Sequence, residues 1–194
     1  GANFGVNSAF KFAFQDMPDI NYATFLTNHD QNRVMSVFNG NIGKAKAAAT
    51  LLLTSPGTPF IYYGEEIGMT GKKPDEDIRV PMQWSDAGDA GFTTGNPWRA
   101  TNADFQTVNV AAQTDDPNSL LNHYRRLIQL RKEHPALLAG DAVLIETGNS
   151  AVFALLRNNG SENILIVVNL GDEPVTDYAL TLEESILTNG SIAP

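Results

Sequence analysis

Apolar positions change their spacing several times along this chain, and each change marks an element. Phe10, Phe12 and Phe14 alternate with other residues over positions 9–14, which predicts a short strand. Tyr22-Ala23-Thr24-Phe25-Leu26-Thr27 is a second β-rich run. It ends in the polar cluster Asn28-His29-Asp30-Gln31-Asn32-Arg33, so this strand carries its polar residues at its C-terminal end. Helical spacing follows: Ala45, Ala48, Ala49, Leu52 and Leu53 make one apolar face, with Asn41 as N-cap and Ser55-Pro56-Gly57 as the stop. The unbroken apolar run Pro59-Phe60-Ile61-Tyr62-Tyr63, bounded by Gly57 and Gly64, predicts a strand buried on both faces of a parallel sheet. Strand, helix and strand with short connections form a βαβ unit.

From Glu65 onward the periodicity fades until Pro117, in a stretch rich in Gly, Pro, Asn and Asp. A segment this long without periodicity is usually functional or disordered, and its two tryptophans, Trp84 and Trp98, argue for order. Asp116-Pro117 then predicts a helix start, a cap followed by proline at the first helical position. Its apolar face is Leu120, Leu121, Tyr124, Leu127 and Ile128, and Arg131, Lys132 and His134 complement the helix dipole in the last turn before Pro135. After Gly140 come four short β-rich runs, at 142–146, 151–157, 164–170 and 175–182, separated by turn signals such as Asn158-Asn159-Gly160. These are antiparallel hairpins. The expected division is therefore residues 1–138, an α/β part, and 139–194, a small antiparallel β domain.

Composition narrows the partners. Of 194 residues 42% are apolar and 18% charged, which suits a packed core rather than disorder. Net charge is −9, with 22 acidic against 13 basic residues, so neither nucleic acid nor an anionic membrane is an expected partner. There is no cysteine, which excludes disulfides and thiolate metal sites. No apolar run approaches the length of a membrane span. The opening Gly1-Ala2-Asn3-Phe4 lacks the basic and apolar regions of a signal peptide. Location is not fixed by the sequence; an extracellular or periplasmic site is favoured over a cytoplasmic one.

The chemistry-bearing residues cluster where the second strand ends. A carboxylate beside an imidazole, Asp30 next to His29, can orient a sugar hydroxyl or offset a developing positive charge at the C-terminal end of a barrel strand. The same spacing also suits an Asx-turn with a satisfied histidine, and spacing alone leaves both readings open.

The longer string Phe25-Leu26-Thr27-Asn28-His29-Asp30-Gln31-Asn32-Arg33 resembles the strand-seven motif of the α-amylase family, glycoside hydrolase family 13. In the same order, Gly57-Thr58-Pro59-Phe60-Ile61-Tyr62-Tyr63-Gly64-Glu65-Glu66-Ile67-Gly68-Met69 resembles the strand-eight segment, and Arg79-Val80-Pro81-Met82-Gln83-Trp84 the following loop of oligosaccharide-cleaving members. Pro97-Trp98 and the helix at 120–134 are also similar, so the resemblance covers roughly residues 10–170.

The resemblance implies a fold, the C-terminal portion of a (β/α)8 TIM barrel followed by a truncated antiparallel β-sandwich domain. It implies an activity for the complete protein, retaining cleavage of α-glucosidic bonds in starch-derived oligosaccharides through a glycosyl-enzyme intermediate. Asp30 would be the transition-state-stabilising carboxylate, His29 a hydrogen-bond donor to the same sugar, and Arg79 either a charged clamp beside it or a structural ion-pair member. Glu65 and Glu66 are adjacent and point apart, which suits an architectural role better than a catalytic pair. Trp84 and Trp98 are expected to pack the long loop rather than to stack on sugars.

The family's nucleophile and acid/base lie on strands four and five, and no segment here matches those motifs. The expected partners are therefore an α-glucan or oligosaccharide substrate and a companion chain holding the first barrel strands. No cofactor is expected in this chain, although calcium is common in the family. Two rival readings accompany this one: a catalytically silent relative acting as a binding or scaffold subunit, and a transglycosylase or isomerase of the same family. Only 15–20 separate the aromatic run at 10–14 from the next strand, where the family has a helix-bearing connection.

Overall fold

The computed structural model describes residues 2–13 and 22–182. It opens with helix α1 (Ala2–Lys11), not with the strand expected around Phe10 and Phe12. The partly buried positions Val6, Phe10 and Ala13 have helical spacing, while Phe12 is 59% exposed. Three alternating aromatics were too short a pattern to outweigh that period. Phe14 lies outside the described residues. The described element that precedes β1 is thus a helix, and the strand from which the short connection was counted is not formed there. Where 1–138 and 139–194 were expected, the chain divides into a unit of Asn21–His134 and a unit of Gly1–Ile20 with Pro135–Pro194.

In the first unit, β1 (Ala23–Phe25) pairs in parallel with β2 (Thr58–Phe60), with Phe25 opposite Phe60. Between them run the short α2 (Val34–Val37) and α3 (Ile42–Thr54). Asn41 caps α3, accepting from the Lys44 amide at 3.0 Å. Gly57 has φ +92, and a Cβ there would sit 2.7 Å from the Tyr22 carbonyl oxygen. Only glycine lets the chain pass so close, and Thr58 N then donates to that carbonyl at 2.8 Å, starting the pairing. Leu26 and Ile61 pack on a core of Met35, Ala45, Ala49, Leu52, Leu53, Leu120, Tyr124 and Leu127. The opposite face is open: Phe25 is 46% and Phe60 57% exposed, where burial on both faces was expected. β2 alone cannot cover both of its faces with the elements of this unit.

The segment after β2 is ordered. It holds a 3-10 turn at Glu65–Ile67, α4 (Asp75–Ile78), a turn at Gly88–Gly91 and α5 (Val110–Thr114). Ile67, Met69, Val80, Met82 and Leu121 form a second core beneath it. α6 (Leu120–Glu133) follows, capped by Ser119, whose hydroxyl accepts from the Asn122 amide at 3.1 Å. The expected cap, Asp116, instead closes the preceding turn, accepting from the Asn118 amide at 2.8 Å. Arg131 does more than complement its own helix dipole. It is 7% exposed and donates to the carbonyls of Leu53 and Ser55 at 2.8 Å and of Gly57 at 2.6 Å, satisfying the end of α3.

In the second unit, α7 (Pro135–Ala139) leads to β3 (Asp141–Leu144), β4 (Val152–Asn158) and β5 (Asn163–Asn169), one antiparallel sheet in that order. Phe10 of α1 meets Phe153 edge to face, with centroids 5.0 Å apart. The fourth expected strand, 175–182, is not a ladder strand. Its backbone bonds to the chain beyond β3 run from Ala179 N to Thr147 O and from Thr181 N to Glu146 O, and Asn149 Nδ2 donates to the Asp177 carbonyl at 3.2 Å. Among the described residues this is a single sheet, not a sandwich of two.

Candidate active site

The turn after β1 builds the site. Asn28 Oδ1 accepts from the Asp30 amide at 2.9 Å, an Asx-turn. The two readings of this string are therefore compatible: Asn28 makes the turn and the Asp30 carboxylate is left to face outward. His29 Nε2 lies 3.3 Å from Asp30 Oδ2, and their side chains are 65% and 61% exposed.

Arg79 arrives from across the loop, directly after α4. Its Nε donates to the His29 carbonyl at 2.9 Å and its Nη2 to Asp30 Oδ1 at 3.0 Å. The same Nη2 donates to Asp75 Oδ2 at 2.7 Å. Asp30, His29 and Arg79, the three candidates read from the sequence, thus meet at one strand end. Asp75 also takes Lys73, and its carboxyl is held below the usual range, foremost by that hydrogen bond and then by the Arg79 charge.

The support beneath is hydrogen-bonded and buried. Arg33 N donates to Gly71 O at 2.9 Å, and Lys73 N donates to Asn32 Oδ1 at 2.7 Å. Arg33 is 2% exposed, and its guanidinium lies over the rings of Tyr62 at 4.5 Å and Tyr63 at 4.6 Å. Burial lowers its pKa, against the opposing influence of the two tyrosines. Tyr62 OH donates to the Ile78 carbonyl at 3.0 Å and Tyr63 OH to that of Val80 at 2.7 Å. Those are the residues on either side of Arg79, so the tyrosine pair fixes the backbone from which Arg79 projects.

Glu65 is 3% exposed and accepts from Tyr124 OH at 2.8 Å. Burial pushes its carboxyl up to about 7, while the Tyr124 bond pulls it back. It joins the turn to α6 and lies in the packing, which fits the architectural role. Glu66 is also raised by burial, and it lines a cleft of about 290 Å³ with Tyr63, Arg79, Trp84, Phe92 and Trp98. Trp84 and Trp98 are 49% and 59% exposed there, contrary to the packing role expected for them. The loop core is filled by aliphatic residues and methionines instead.

Sequence reasoning missed Asp75, Arg33 and Phe92. Asp75 had a signal, since it stands four residues before Arg79 in a helical segment, the spacing of a side-chain pair. Arg33 stood in the polar cluster, and nothing in its spacing marked it as buried. For calcium the residues do not fit: among the described residues no three His, Asp or Glu side chains converge, and Asp30, Asp75 and Asp77 are each engaged by a cation.

A carboxylate held by guanidinium and imidazole and open on its outer side can bind sugar hydroxyls. Residues 5–140 match the family model described as "Alpha amylase, catalytic domain". The chain belongs to the α-amylase family. It is 35% identical over 191 residues to oligo-1,6-glucosidase of Parageobacillus thermoglucosidasius, covering 77% of this chain and 34% of that protein. It is 42% identical over 150 residues to α-amylase 3 of Dictyoglomus thermophilum, covering 76% and 30%. Among solved structures, an isomaltulose synthase variant from Erwinia rhapontici NX5 in complex with D-glucose superposes with a TM-score of 0.76 at 32% identity, covering 86% of this chain and 38% of that one. The chain therefore spans about a third of the length of the relatives it matches. The α-amylase family is a TIM-barrel family of glycoside hydrolases, and the parallel β1–α3–β2 unit is what such a barrel repeats.

Proposed function

We propose that this chain supplies strands seven and eight of a (β/α)8 barrel, followed by a truncated antiparallel β domain. The barrel belongs to an enzyme that cleaves α-glucosidic bonds of oligosaccharides with retention of configuration. Asp30 stabilises the oxocarbenium-like transition state, while His29 and Arg79 hold the sugar at the cleaved bond. The observation that carries this reading is the meeting of these three side chains at the C-terminal end of β1. The nucleophile and acid/base come from the rest of the complete protein, on the same or a companion chain, whose strands cover the open Phe25–Phe60 face. Calcium, where the complete enzyme uses it, is held by residues outside this chain. An extracellular or periplasmic site remains the favoured location.

The test is the complete protein on maltose, isomaltose and sucrose, with the anomer released first followed by NMR. Release of the α-anomer is expected. A complete protein inert on all α-glucosides would leave the silent-scaffold reading in place. The 194-residue chain alone is expected to be inert, because acid–base work by itself contributes roughly 10²–10⁴-fold. Turnover by the purified chain at ordinary glycosidase rates contradicts this division of labour.

A second reading, isomerisation or transfer, is favoured by the structural likeness to isomaltulose and trehalulose synthases. Products from sucrose separate the two: free glucose and fructose for hydrolysis, a rearranged disaccharide for isomerisation.

A further inference from the structure

A buried charge without an ion pair stands beneath the site. Arg33 is 2% exposed. Its guanidinium donates from Nη1 to the Tyr63 carbonyl at 2.6 Å, while the buried Nε and Nη2 have no hydrogen-bond partner among the described residues. Glu65 and Glu66 are near enough to act on it through charge, yet one oxygen of each carboxylate is buried without a partner too. Burying a charge is costly unless it is paired and hydrogen-bonded, and an apolar side chain in its place is often no less stable. What offsets the cost here is a pair of rings, Tyr62 at 4.5 Å and Tyr63 at 4.6 Å from the guanidinium carbon. Such a group asks for a role beyond stability.

Two arms of the site meet at this one side chain. The first is its own turn, where Arg33 follows Asp30 closely and its amide donates to the Gly71 carbonyl at 2.9 Å. The second is the segment after β2. The two rings under the guanidinium meet edge to face, with centroids 4.8 Å apart. Their hydroxyls hold the carbonyls of Ile78 at 3.0 Å and Val80 at 2.7 Å, the residues on either side of Arg79. The aliphatic stem of Arg33 is wedged as well. A Cβ on Gly71 would lie 3.2 Å from Arg33 Cδ and 2.6 Å from the Asp77 carbonyl oxygen, so only glycine lets the chain before α4 close against it.

Asp30 projects from the first arm and Arg79 from the second, so any slip of one arm against the other opens the 3.0 Å contact between Arg79 Nη2 and Asp30 Oδ1. We propose that Arg33 is a positioning residue for the reaction: its side chain locks the Asp30 turn and the Arg79 backbone in one register, and it acts through the Arg79–Asp30 pair without touching the sugar. The inference rests on the proposed glucosidase or transglycosylase function and adds to it a use for a buried cation that has no ion pair.

The experiment uses the complete protein and whichever of maltose, isomaltose and sucrose the wild type turns over fastest. Arg33→Met fills similar space and removes the charge, so Tm is expected to stay near that of wild type. Its kcat is expected to fall roughly ten- to a hundredfold, the scale of misplacing a reacting group by about 1 Å, with a smaller change in KM. In an Arg79→Ala background the same substitution is expected to cost little more, because residues that act as one unit are not additive. Arg33→Lys keeps a charge but has no planar fork to lie across two rings, and is expected to recover little of kcat. Should Arg33→Met fail to fold, Tyr63→Phe, which deletes only the hydroxyl that holds Val80, is read in the same two backgrounds. Equal losses in both backgrounds, an unchanged kcat, or full recovery by Arg33→Lys overturn the positioning role while leaving the glucosidase reading intact. A wild type inert on all three substrates overturns the proposed function and the positioning role with it.

Discussion

Arg79 grips Asp30 from the side: its Nη2 lies 3.0 Å from Asp30 Oδ1, and its Nε is bound to the carbonyl of the neighbouring His29. The carboxylate is thereby oriented while its other oxygen still faces solvent and His29. A group that stabilises a transition state must interact more strongly there than in the ground state. In the complete protein Asp30→Asn keeps the shape and removes the charge. It is expected to lower kcat by about 10²-fold or more, as loss of other preorganised electrostatic groups does, with little change in KM. The melting temperature should hold, because the Asx-turn is made by Asn28 and the Asp30 side chain is not in the core. A kcat within a few-fold of wild type removes Asp30 from the mechanism.

Asp75 shares the same Arg79 nitrogen at 2.7 Å and is linked to Asp30 through it. Releasing Arg79 from this second anchor costs orientation rather than charge. Asp75→Ala is expected to lower kcat/KM by roughly tenfold, less than Asp30→Asn, because a positioned group that loses its alignment still retains its charge. Asp75→Asn, which can still accept a hydrogen bond from Arg79, should lie between Asp75→Ala and wild type. An order reversed between the two Asp75 variants would show that the anchor does not work through its hydrogen bond.

The sequence was informative where one residue type has one physical use. Asn41 before an apolar stripe could only cap α3, and the Gly57 stop became the close approach to Tyr22. Asp30, His29 and Arg79 were legible through a motif, and the fold brings them together across 49 positions of chain. Short patterns failed. The Phe10–Phe12–Phe14 alternation hid a helical stripe, and Asp116-Pro117 looked like a cap but made the preceding turn. Exposure failed for a different reason: whether Trp84 and Trp98 are core or cleft depends on which residues fill the loop interior, and Ile67, Met69 and Met82 do so. Arg131 read as a dipole partner of its own helix. Its true partners are carbonyls some 75 residues away, which no local pattern encodes.

Glu65 makes stability depend on pH. Its carboxyl is raised from 4.5 to about 7, foremost by burial, and the side chain is 3% exposed. Between those values the folded protein keeps a proton that the unfolded chain has released. This contribution is therefore full below about 4.5 and declines as pH rises through about 7. A shift of that size corresponds to about 3 kcal/mol. Glu65→Gln stays neutral and keeps an acceptor for Tyr124, so the decline should flatten and the variant should gain on wild type at pH 8. Denaturant midpoints of both proteins across pH 5 to 8 measure this. Parallel curves would mean that Glu65 does not titrate in that window.

Arg131 links α6 to the end of α3, donating to the carbonyls of Leu53, Ser55 and Gly57. The last carbonyls of a helix have no partner within it, and here water is largely excluded. Arg131→Ala leaves these acceptors unsatisfied and opens a gap beside the α3–α6 core. A buried polar group left without its partner costs about 1–3 kcal/mol, so a loss of roughly 3 kcal/mol is expected for the three together after partial relaxation. Arg131→Lys replaces a planar fork by a point charge, can serve fewer of the carbonyls at once, and should recover only part of the loss. Because Gly57 sets the start of β2, the Ala variant should also disturb β1–β2 pairing and with it the turn that carries Asp30. Hydrogen exchange at the Thr58 amide, which donates to Tyr22, is expected to accelerate in Arg131→Ala well beyond exchange in α4. Uniform acceleration across the unit would assign the effect to global stability alone and remove the local link between Arg131 and the site.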